Sequence, residues 1–92
     1  MADEIRFDWD EANLEHIARH NVKSEEAEQV LTNEPTDAGF EVVGGENRWA
    51  SVGHTNKLRI LKVFWTVRHE DKVRVITAFD APREYLREKV GL

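Results

Sequence analysis

Apolar residues follow two rhythms along the chain. Ile5, Phe7 and Trp9 alternate with polar neighbours, a period of two that predicts a short edge strand. The rhythm then lengthens. In "EANLEHIARHN", Leu14 and Ile17 share one helical face with Ala18 beside them, and Asp10 stands where an N-cap belongs. Asn21 can end this helix by taking the left-handed conformation. Ser24 is the next expected N-cap, with Glu25 and Glu26 in the first turn and Ala27, Val30 and Leu31 as the apolar stripe. In that register Ala27 occupies the place a reciprocal capping box gives to Glu or Gln. Asn33 and Pro35 stop the second helix.

Beyond residue 34 the period of two returns. "FEVV" reads as a strand, and Gly44-Gly45 as a turn. "RWASVG" places Trp49, Ser51 and Gly53 on one side and Ala50 and Val52 on the other. "HTNK" is a turn. "LRILKVFWTV", rich in β-branched and aromatic residues, is the strongest strand, and "RHEDK" closes a hairpin onto "VRVITAF". On that last strand alternation puts Arg74, Ile76 and Ala78 on one face and Val73, Val75, Thr77 and Phe79 on the other. Asp80 is expected to cap a final helix, with Pro82 in its first turn and Tyr85, Leu86 and Val90 facing inward. With no repeat or linker, residues 1–92 read as one domain. The expected fold is α+β: a small antiparallel sheet, two N-terminal helices and one C-terminal helix, with helices on one face of the sheet.

Composition narrows the class. The chain is 40% hydrophobic and 34% charged, which suits a folded soluble protein and not a disordered one. No apolar run approaches the roughly 20 residues that span a bilayer. "MADEIRFDWD" lacks an apolar signal core, and the absence of cysteine rules out disulfides and thiolate metal sites, so a reducing cytoplasm is the expected location. The net charge of −5 hides a division. Residues 1–47 carry 3 basic and 13 acidic side chains, whereas residues 48–92 carry 10 basic and 5 acidic. Two readings stand: a local basic patch for a polyanion, or two halves that attract each other within one domain.

Candidate chemistry is sparse. His16 and His20 stand one helical turn apart, as a metal pair requires, but Ile17 replaces the zincin glutamate and no third ligand is evident, so no metal is expected. "VVGGEN" lacks the Lys-Ser/Thr of a phosphate loop. The basic residues of the later strands say more. Arg59 and Lys62 lie on one strand, Lys57 before it and Arg74 on the next. A sheet face left open by the helices could make a concave basic platform, with Trp49, Trp65 and His54 as stacking surfaces. It could equally be a solvated face.

The order of motifs is informative. "FDWDEANLEHIARHNV", "SEEAEQVL", "GENRWASVG", "RILKVFWT" and "VRVITA" together resemble the BrnT family of toxins, from Phe7 to about Tyr85. The resemblance implies a compact RelE-like ribonuclease fold. It also implies a toxin of a type II toxin–antitoxin module, an endoribonuclease that arrests translation and is neutralised by a BrnA-like antitoxin. That partner protein binds DNA, so DNA is reached only indirectly. Metal-independent RNA cleavage without a cofactor needs a base for the 2′-hydroxyl, cations for the phosphorane and an acid for the leaving oxygen. Arg74, Arg48 and His54 are the catalytic candidates, and Arg59, Lys57, Arg83 and Tyr85 the RNA-binding ones. One position departs from the family pattern. The family commonly carries Arg where this chain has Phe79. Hence the alternative of a catalytically degenerate protein that only partners a DNA-binding antitoxin.

Overall fold

The computed structural model describes residues 4–82 as two helices followed by a four-stranded antiparallel sheet. Helix α1 spans Glu11–Ala18. Asp10 caps it as its position predicts: Oδ1 accepts from the Asn13 N–H, and the Asn13 carboxamide oxygen accepts from the Asp10 N–H. Asn21, at φ 60, is left-handed in the turn that follows. The buried face of α1 differs from the expected one. Asn13 and Ile17 point inward, while Leu14 is 40% exposed. The cause is the Asn13 amide, which donates to Asp8 O at 3.0 Å and Val75 O at 3.1 Å and is therefore satisfied inside.

Helix α2 spans Ser24–Thr32 and starts one residue earlier than expected. Lys23 occupies the N-cap position, so Glu26 becomes the third helical residue. Its Oε1 accepts from the Lys23 N–H at 3.0 Å, which supplies half of the reciprocal arrangement that the Ser24 register lacked. Ala27 and Val30 are buried, with Leu31 packed beside them.

The strands are β1 (Thr36–Val43), β2 (Glu46–His54), β3 (Ile60–Arg68) and β4 (Lys72–Asp80), in the spatial order β1-β2-β3-β4. Gly44 and Gly45 both take positive φ and make the tight β1–β2 hairpin. The β3–β4 turn reaches the same region without glycine, at Glu70 and Asp71. The segment expected as an N-terminal strand is not one. It makes a single parallel bridge, Phe7 to Val73, with Asp8 N donating to Val73 O and Val73 N to Arg6 O, both at 2.8 Å. Arg6 also reaches the Glu70 carbonyl, and Trp9 Nε1 donates to Glu28 on α2 at 2.7 Å. The segment is a strap along the edge of β4.

Both helices pack on one face of the sheet, α1 on β4 and α2 on β2 and β3. There Ile17, Val22, Ala27 and Val30 meet Leu61, Val63, Val75 and Ala78. Val75 and Ala78 cannot share a face under strict alternation. A bulge resolves this: Phe64 pairs with Thr77 but Trp65 with Val75, leaving Ile76 unpaired. The expected grouping of Arg74 with Ala78 fails for that reason. The expected C-terminal helix, with Arg83 and Tyr85, lies outside the described residues. Among the described residues no helix is long and apolar enough to cross a membrane.

Candidate functional site

The strand register divides the candidate residues between two ends of the sheet. Arg74 pairs with Thr66, one residue after Trp65, and Arg48 lies near the start of β2, one residue before the Trp49–Trp65 pair. His54 closes the same strand six residues later, about 20 Å away at roughly 3.3 Å per residue. Lys57 and Arg59 follow it in the β2–β3 loop. Arg74, Arg48 and His54 therefore do not meet on one phosphate.

At the first end both arginines are engaged. Arg74 binds Asp10 with both terminal nitrogens, at 3.0 and 3.1 Å, and lies 3.6 Å from Asp8. This hydrogen bond holds the Asp10 carboxyl below the usual range and raises Arg74 further. Arg48 Nε donates to Glu46 at 2.9 Å, and Arg68 meets the other Glu46 oxygen at 3.2 Å. Arg48 also lines a shallow hollow of about 330 Å³ with Lys62 and Phe64, on the face away from the helices. The tryptophans expected on such a platform are on the other face. Trp49 and Trp65 stack at 4.9 Å, and Trp65 Nε1 donates to Ser51 on the helix side. Phe79 packs against Phe64 and His20, with ring centres 6.0 and 5.8 Å away.

The second end is a polar cleft of about 610 Å³ between the start of α2 and the β2–β3 loop. Thr55, nearly fully buried, organises the loop: its hydroxyl accepts from the Lys57 and Arg59 amides, its N–H donates to Arg59 O and its carbonyl accepts from Leu58 N. Leu58 is left-handed and 74% exposed as a consequence. Asn56 N–H donates to Gln29 Oε1 on α2 at 2.9 Å, and Asn33 Nδ2 binds both His54 O and Asn56 Oδ1. Arg59 joins three elements: Asp80 at 2.8 Å, Glu26 at 3.2 Å and the Asn21 carbonyl at 2.8 Å. Asp80 is held low chiefly by Arg59. Burial pushes Glu26 up, but the Lys23 amide and Arg59 outweigh it, so Glu26 too is lowered. The Lys57 ammonium has no ion-pair partner among the described residues.

His54 is the last residue of β2 and is not among the residues that line the cleft. Its Nδ1 lies 3.1 Å from the Thr55 carbonyl, which can only accept. A hydrogen bond there needs the hydrogen on Nδ1, the tautomer that leaves the lone pair on Nε2 when the ring is neutral. Lys57 and Arg59 thus line the cleft beside Glu25 and Glu26, with His54 at the neighbouring end of β2. Sequence reasoning missed Glu26, Gln29, Asn33 and Asn56 here. The spacing of three from Lys23 to Glu26 to Gln29, a polar stripe on one helix face, was the available signal. His16 and His20 have ring centres 6.1 Å apart, and no group of three or more metal-binding side chains occurs among the described residues.

A family model described as ribonuclease toxin, BrnT, of type II toxin-antitoxin system matches residues 9–84. No curated protein matches the chain. The matched span runs from the strap and cap of α1 through all of β4, and so includes both ends just described. The chain belongs to the BrnT family of ribonuclease toxins of type II toxin–antitoxin systems.

Proposed function

We propose that the protein is a RelE-like endoribonuclease toxin of the cytoplasm. It cleaves RNA without a metal ion, arrests translation and is silenced by a BrnA-like antitoxin that carries the DNA-binding function. The family match over residues 9–84 carries this reading. The loop at residues 54–59 supplies the chemistry. His54 Nε2 takes the proton of a 2′-hydroxyl, and the freed oxygen attacks the adjacent phosphorus. The bond from phosphorus to the 5′-oxygen breaks, leaving a 2′,3′-cyclic phosphate. Lys57 protonates the departing oxygen, and Lys57 and Arg59 offset the charge that builds on the phosphorane. Arg74 and Arg48, each ion-paired, act by holding the framework; Arg83 and Tyr85 remain RNA contacts in this proposal.

The test is cleavage of a labelled RNA in EDTA. The expected result is cyclic-phosphate ends, lost by about 10²-fold or more in His54→Ala and reduced in Lys57→Ala, both with an unchanged melting temperature. Full activity in the double variant would remove this site. One observation favours a second reading: Phe79, where the family commonly has Arg, is used for ring packing. An intact wild-type protein that cuts no RNA yet binds its antitoxin would support a binding-only role.

A further inference from the structure

Two carboxamides in the polar cleft are locked by their oxygens. The Asn56 backbone N–H can only donate, so the Gln29 atom it meets at 2.9 Å is the oxygen Oε1. The His54 carbonyl can only accept, so the Asn33 atom facing it at 3.0 Å is the NH2 group. That same NH2 meets Asn56 at 3.0 Å, which makes the Asn56 atom Oδ1. Both assignments follow from backbone chemistry. The consequence is that Gln29 Nε2 and Asn56 Nδ2 keep their hydrogens without a partner among the described residues, and both residues line the cleft. A free Asn or Gln reads adenine with an oxygen and an NH2 together. These two offer donors alone.

We infer that this cleft is a nucleobase subsite that selects keto bases, guanine and uracil, over adenine and cytosine. The inference rests on the ribonuclease reading for its polyanionic ligand and adds the base it prefers. On the Hoogsteen (major-groove) edge guanine presents O6 and N7, and uracil O4, as acceptors for the fixed NH2 groups. Adenine and cytosine present an amino group at the matching edge, which would face donor against donor. The cleft volume of about 610 Å³ suits one nucleotide. Its lining is polar or charged throughout, which fits hydrogen-bond reading better than burial of an apolar ligand. Lys57 lines the same cleft with no ion-pair partner among the described residues, placed for the adjoining phosphate.

The experiment is equilibrium binding of short labelled oligonucleotides of U, G-containing, A and C sequence to the intact protein in EDTA, by fluorescence anisotropy. Wild type should bind the keto sequences about tenfold more tightly. Gln29→Glu and Asn56→Asp keep the locked oxygen and replace only the free NH2 by an acceptor, so each should abolish or invert the preference while the fold persists. Lys57→Ala should weaken all sequences alike and flatten the salt dependence. Equal binding of all four bases, an unchanged preference in both amide variants, or no binding at all would overturn the inference. The two readings fail separately. RNA cleavage without base preference ends the subsite alone, whereas keto-selective binding without cleavage ends the nuclease proposal and leaves the subsite standing.

Discussion

Asn13 does more for this fold than any single position in its helix pattern would suggest. One buried carboxamide closes the capping arrangement with Asp10 and bonds the carbonyls of Asp8 and Val75, tying strap, helix and sheet together. Replacing it by Ala leaves the buried Val75 carbonyl without that donor and removes the half of the capping box that accepts from the Asp10 N–H. Asn13→Ala should therefore cost about 2–3 kcal/mol, read as a lower urea midpoint with an unchanged m-value. The sequence marks the cap but hides this role, because Val75 is 62 residues away. Arg74 hides its role in the same way. It stands in the sequence as a cation among apolar neighbours, the pattern expected of a phosphate ligand, and its partners Asp8 and Asp10 are brought up only by the strap.

At the scale of elements, α2 and the residues after it approach β2 closely at Gly53. A Cβ built on Gly53 would lie 3.2 Å from Pro35 Cβ and 3.3 Å from Val30 Cγ1. Gly53→Ala should push α2 off the sheet and lose about 1–2 kcal/mol, the cost of overpacking less the entropy that alanine removes from the unfolded chain. Thermal melting checks this, and a raised melting point would mean that Pro35 yields. Because α2 carries Gln29 and Glu26 into the cleft, the same variant should also weaken RNA binding. Strand existence was legible here: β-branched runs and the Gly-Gly turn mark β1 to β4 well. The face assignment on β4 was not. Alternation read from sequence presumes no extra residue, and the bulge at Ile76 is set by how β4 meets β3.

At the scale of the whole molecule, part of the unequal charge of the two halves is paired inside the fold. Asp8, Asp10, Glu26 and Glu46 of the acidic half pair with Arg74, Arg59, Arg48 and Arg68 of the basic half. Of the two readings of that division, mutual attraction accounts for these four arginines, and Lys57 has no ion-pair partner among the described residues. The pairing has a pH consequence. Asp10, Glu26 and Asp80 are all held below their ordinary range. A lowered carboxylate binds fewer protons in the folded state than in the unfolded one, so its contribution is present above the unfolded value and lost as pH falls through the folded one. Unfolding free energy should be nearly level from about pH 7 to 5 and decline below about pH 4. Urea titrations across that range measure it, and 1 M salt should make the decline shallower because these groups are partly exposed.

What the chain determines by itself is local or repetitive: where helices start, where strands run, where turns fall, and a motif order that marks the family. Each depends on neighbours a few residues apart, whose spacing and chemistry are written in one dimension. Tertiary structure alone decided which arginines are bound, which atom of each cleft amide is locked, and which face of β4 is buried. Those outcomes depend on partners from distant segments, and an electrostatic or hydrogen-bonding group acquires its role only when the fold sets what lies within about 3 Å of it.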